Sequence, residues 1–105
     1  MENMIIVLHE QSKENKNLKI SVSLDEANRM EIVLSATEKL CGEVVLNFGK
    51  RLSNINAEAV RDALNVDNYE QMMERIKERF YGTAFAYDLF VKFLQSRQLI
   101  PDAAI

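Results

Sequence analysis

The sequence predicts an α+β fold in which an N-terminal β-hairpin packs on a bundle of three to four α-helices. Leu18 to Leu24 alternates strictly, with Leu18, Ile20, Val22 and Leu24 on one face and Lys19, Ser21 and Ser23 on the other. That is the period of a half-buried strand. From Met30 onward, apolar positions recur instead at helical spacing. Seven of the eight aromatic residues then fall between Tyr69 and Phe93, and Phe80 to Leu94, coiled as a helix, is apolar nearly all the way round except at Asp88 and Lys92. Such a helix is a core element or an interface, because exposing a large apolar side chain forgoes about 1.5 to 3 kcal/mol.

Met4 to Glu10 reads as the first strand and Leu18 to Leu24 as the second, joined through the polar stretch Gln11 to Asn17, so an antiparallel hairpin spans about residues 4–24. Ser23-Leu24-Asp25-Glu26 has the form of a capping box and predicts a helix directly after the second strand. The set Met30, Leu34, Thr37, Cys41, Val44, Phe48, Leu52 and Ile55 keeps a spacing near 3.5 across Gly42 and Gly49 and predicts helix to about Ser53, with a break near Gly42. Val44 to Phe48 also reads as a third strand, since Val44-Val45 favours β structure and glycines flank the run. Asn56 to Val66 predicts a short amphipathic helix with Val60 and Leu64 inward. Asp67 and Glu70 predict the cap of the last helical stretch, whose stripe runs through Tyr69, Met73, Ile76, Phe80, Thr83, Tyr87, Phe90 and Leu94. Gly82 allows that stretch to be continuous or broken, and a break shortens helices that would otherwise exceed the roughly 30 Å breadth of a compact domain this size. Pro101 marks the end of ordered structure, leaving residues 99–105 as a short tail. The expected organisation is a single domain over 1–105, hairpin about 4–24 and helical part about 25–98.

The totals narrow the function more than any motif does. The chain has 105 residues, 48% hydrophobic and 28% charged, with a net charge of −3 spread evenly from end to end. Without a basic arm or an acidic block there is no electrostatic footprint for nucleic acid. The single Cys41 excludes an internal disulfide and fits a reducing, cytoplasmic setting. Met4 to Leu8 is too short an apolar run for a signal segment, and Phe80 to Leu94 is too short to span a membrane.

No residue set carries a recognisable chemistry. His9 and Cys41 are the only imidazole and thiol, so a zinc site would need both plus two carboxylates. Glu70, Glu74 and Glu78 share a helix face, but Arg75, Lys77 and Arg79 beside them make it a solvated mixed-charge surface. Gly42, Gly49 and Gly82 are too far apart for a phosphate loop. The expectation is therefore no enzyme, no catalytic residue, no cofactor and no metal.

The segment LKISVSLDE followed by a predicted helix resembles the start of a ribbon-helix-helix DNA-binding protein. That resemblance covers at most residues 18–52 and implies a dimeric transcriptional repressor in which two chains pair one strand each. The outward residues Lys19, Ser21 and Ser23 would then contact DNA in the major groove. Against it stand the preceding strand, the acidic charge and the lack of a Ser or Thr cap at Glu43. The favoured expectation is a small intracellular regulator or inhibitor that works by protein–protein binding, a role that a phage or mobile-element accessory protein would fill. Phe85, Phe90 and Phe93 are the expected partner or homodimer contacts, and Phe80 and Tyr87 the expected core.

Overall fold

The computed structural model describes residues 3–39 and 42–104. It is an α+β fold, but the sheet is much larger than the sequence predicts: β1 (Met4–Lys13), β2 (Lys16–Leu24), β3 (Met30–Lys39), β4 (Glu43–Leu52) and β5 (Ala103–Ala104) form one antiparallel sheet in the order β1-β2-β3-β4-β5. Three helices, α1 (Asn54–Ala63), α2 (Tyr69–Phe80) and α3 (Ala86–Ser96), pack on one face. The hairpin-on-a-bundle expectation is thus corrected, because residues 30–52, expected as helix, form two ten-residue strands.

The reason is visible in the register. Met30, Ile32, Leu34 and Ala36 pair across from Leu24, Val22, Ile20 and Leu18, so the alternation of β2 continues through β3 on the same face. Val44, Leu46, Phe48 and Leu52 extend it onto β4. The β-branched residues Ile32, Val33, Thr37, Val44 and Val45 suit a pleated surface better than a helix. The expected capping box at Ser23 is instead a turn between β2 and β3. Asp25 Oδ1 accepts the amides of Ala27 and Arg29 at 2.9 Å, Oδ2 pairs with Arg29 Nε at 2.8 Å, and Asn28 takes a φ of 62°. This is the Asp-driven turn that competes with helix initiation.

The hairpin expected at 4–24 forms, with its turn tightened to Glu14–Asn15 and a bulge in β1 between Val7 and His9. Ser53 caps α1, its hydroxyl accepting the amide of Asn56 at 3.3 Å. Asn68, one residue beyond the expected Asp67, caps α2 by accepting the amide of Gln71 at 2.8 Å, and the Gln71 side chain reaches back to the Asp67 amide at 3.1 Å. The last helical stretch breaks at Gly82, whose φ of 92° suits glycine and whose N–H donates to the Leu8 carbonyl at 2.9 Å, tying the α2–α3 turn to β1. Pro101 does not end the ordered structure, since Ala103–Ala104 form β5: Asp102 Oδ2 accepts from the Ser53 amide at 2.5 Å and from Asn56 Nδ2 at 3.0 Å, which clamps this segment to the start of α1.

The core lies between sheet and helices, with Leu8, Ile20, Val22, Met30 and Ile32 below and Val60, Met72, Ile76, Phe90 and Leu94 above, all fully buried or nearly so. Ten-residue strands run about 30 Å, whereas helices of ten to twelve residues run only about 15 to 18 Å. The helices therefore cover one end of the sheet, and the other end projects beyond them. The molecule measures 47 × 31 × 25 Å.

Candidate functional site

The projecting end of the sheet exposes apolar residues that the core does not use. On the helix-facing side, Leu18 of β2, Ala36 of β3 and Val44 and Leu46 of β4 line a groove of ≈ 360 Å³, rimmed by Gln11 and Lys16. These residues continue the core rows of the sheet past the point where α3 stops covering them. The Phe48 ring meets Tyr87 of α3 edge-on at 5.1 Å, and Leu46 and Val44 lie two and four residues further out along the strand. Val44 is 67% exposed and Leu46 54%, and Val45 on the opposite face is 52% exposed. Lys16 and Glu38 at the rim pair with each other at 3.8 Å, so the groove carries little net charge.

The strand that borders this groove has a free edge. β5 pairs with β4 only at Lys50 and Arg51, so among the described residues no strand lies beyond Glu43 to Gly49. An exposed strand edge is a template for further pairing, and proteins usually blunt it. β1, the opposite edge, is blunted from Leu8 onward, where it bulges, takes a hydrogen bond from Gly82 and becomes polar from Glu10 to Lys13, so that only the short run Met4 to Val7 is regular. β4 is regular through the same stretch, and Val44 to Phe48 contains no charge.

The residues expected to meet a partner divide. Phe85 is 68% exposed at the N-cap of α3, followed one turn later by the exposed Leu89. Phe90 is fully buried and Phe93 is 6% exposed, each ring packed on Phe80 at 5.3 and 6.0 Å, so both pack in the chain's own core. The surplus apolar surface of α3 has a simple cause: the helix packs on the sheet and on α2 at once. Arg79 and Arg97 cover the outer rim of Phe93 at 4.9 and 5.9 Å. Phe80 and Tyr87 are buried.

Lys19, Ser21 and Ser23 lie on the outer sheet face, in a strand paired on both sides by β1 and β3. β2 therefore has no edge to offer a second chain, and the segment after it enters β3 rather than a helix. The strand-then-helix order that the ribbon-helix-helix resemblance implies is therefore not the order this segment adopts. Cys41 lies outside the described residues. Among the described residues no three His, Cys, Asp or Glu side chains gather as metal ligands, and no helix is long and apolar enough to cross a membrane. His9 is half-buried with Nε2 3.4 Å from Gln11 Oε1.

The shifted ionisations serve the fold. Backbone and side-chain hydrogen bonds, from Arg29 and Ala27 in one case and from Ser53 and Asn56 in the other, hold the carboxyls of Asp25 and Asp102 below the ordinary carboxylate range. Burial, reinforced by the charge of Asp88, pushes the Tyr87 phenol above its usual value.

Neither the groove nor the β4 edge follows from a helical reading of residues 30–52, which hides the face that Ala36, Val44 and Leu46 share with Leu18. The strand alternative for Val44 to Phe48 is the signal in the sequence that leads to them. Comparison with protein-family models, with curated proteins and with solved structures returns no match.

Proposed function

We propose that this chain is a non-enzymatic binding protein, an intracellular regulator or inhibitor that engages a protein partner through the projecting end of its sheet. One observation carries the reading: Leu18, Ala36, Val44 and Leu46 form an open apolar groove, its rim charges Lys16 and Glu38 paired with each other, that the chain's own helices stop short of covering. A contiguous apolar surface beside a regular strand edge suits apolar side chains presented by another polypeptide, with pockets for alternate side chains giving specificity. The mild, evenly spread charge favours a protein over nucleic acid.

Leu18 is the residue to test, because it lies in the groove but two strands away from the β4 edge. The full chain and its Leu18→Asp variant, matched in melting temperature, are immobilised and exposed to lysate of the native host, and bound proteins are quantified by mass spectrometry. One or a few proteins should be captured by the parent and lost with Leu18→Asp. An unchanged set of bound proteins, or none above background, overturns the groove reading.

A further inference from the structure

We propose that the free edge of β4 pairs with the same edge of a second copy of this chain, antiparallel about a two-fold axis at Leu46, and that each copy then supplies a wall of the other's groove. Among the described residues the free segment runs from Glu43, where β4 begins, to Gly49, beside β5, and Leu46 is its midpoint. Antiparallel pairing about Leu46 sets Leu46 opposite itself, Val44 opposite Phe48, Val45 opposite Asn47 and Glu43 opposite Gly49. No like charges face each other, and apolar residues meet apolar residues on the helix-facing side. The neighbouring register, centred on Asn47, drives Val44 toward Lys50, where β5 already occupies the edge. β5 thus acts as a stop against that register.

A two-fold axis normal to the sheet keeps both sets of helices on the same face, as an isologous contact requires. Phe48 of the second copy, its ring seated against its own Tyr87, then stands beside Val44 at the open side of the first copy's groove. The covered end of one molecule lies next to the projecting end of the other, and the two grooves become enclosed together. Other features select this occupant over an extended segment of an unrelated protein. The edge is self-complementary on its helix-facing side, where Leu46 meets Leu46 and Val44 meets Phe48, and carries no charge between Val44 and Phe48 that would call for a complementary partner. A strand pair with two short side walls is a small interface, which sets the expected affinity in the micromolar range. The inference builds on the binding reading by naming what lies against the edge, and its test is independent of the Leu18 comparison.

Light scattering on the full chain, from low micromolar to submillimolar concentration, should show the mass rising from 12.1 kDa toward twice that value. Leu46→Lys, which sets two lysines opposite each other and removes two buried leucines, should weaken association roughly a hundredfold or more. Phe85→Ser should leave it unchanged. In a Cys41→Ser background, Leu46→Cys should cross-link chain to chain on mild oxidation, and Ile5→Cys on the β1 edge should not. This second measurement decides the matter if Leu46→Lys fails to fold. A chain that stays at 12.1 kDa throughout overturns the dimer, and continued loss of partner capture in Leu18→Asp would then leave the groove reading standing. Self-association that persists in Leu46→Lys, or that gives no cross-link at Leu46, belongs to another surface and overturns the proposal equally. An unrelated extended peptide that binds a chain remaining monomeric, and is lost with Leu46→Lys, would do the same.

Discussion

At Gly49 the missing side chain is what lets β3 and β4 approach. A Cβ there would fall well inside contact distance of the Ile32 carbonyl oxygen, with the Ile32 carbonyl carbon and Val33 Cα only 3.1 Å away. All of these are backbone atoms, which cannot swing aside, so the sheet itself would have to open. Gly49→Ala should cost about 1 to 3 kcal/mol, as overpacking does in a close-fitted interior, and a lowered urea midpoint at unchanged slope would record it. The carboxylates of Asp25 and Asp102 act at the same scale, each organising a turn through hydrogen bonds to backbone amides. Both have folded pKa values below the ordinary 3.8. The stability they add is therefore present above that value and is lost as pH falls below it through the depressed folded pKa. The double variant Asp25→Asn, Asp102→Asn should flatten the fall of melting temperature below about pH 4 relative to the parent, and an unchanged acid limb would remove these groups as its cause.

Between residue and molecule, elements decide which sequence signals can be trusted. The β1–β2 hairpin, the helical stretches of α1, α2 and α3 and, within one residue, the cap at Asn68 are legible because each is written locally, in alternation, in stripe and in capping side chains, whereas the cap at Ser53 is not, because the predicted helix runs through to it. β3 and β4 are not, because MEIVLSATEK satisfies a helical stripe and a two-residue alternation at once. What settles it is β2 lying alongside, a neighbour that no local window contains. The site follows the same division: Val44 to Phe48 is readable as a strand, but that its outer edge stays free depends on β5 reaching only Lys50 and Arg51. In α3 the aromatic surplus is legible and its assignment is not, since only the position of α2 shows that Phe93 packs on Phe80. Phe90→Ala should accordingly cost about 3 to 5 kcal/mol, while Phe85→Ala should change stability by no more than about 0.5 kcal/mol. Chemical denaturation of the two variants checks this, and equal losses would mean that Phe85 is covered in solution.

The whole molecule is shaped by a mismatch of lengths, strands of about 30 Å under helices of little more than half that, and the radius of gyration of 14.2 Å exceeds the ~13 Å of a compact chain this long. One end of the sheet is double-layered and closed by Met30, Ile32, Leu52 and Phe90; the other is a single layer with solvent on both faces. Local stability should follow that division, because opening free energy tracks buried apolar contact. Hydrogen exchange should show the amides of Ile20 to Leu24 and Met30 to Val33 among the slowest in the protein, and those of Lys16 to Leu18, Ser35 to Glu38 and Val44 to Asn47 exchanging faster by at least about tenfold. Pairing across the β4 edge adds a further signature, since mass action protects only what the second copy covers. Protection of Val44 to Phe48 should rise with protein concentration while that of Ile20 to Leu24 stays fixed. Uniform protection along each strand would mean that the projecting end is covered by something other than the edge contact, and a concentration dependence spread over the entire chain would point to general self-association instead of pairing at Leu46.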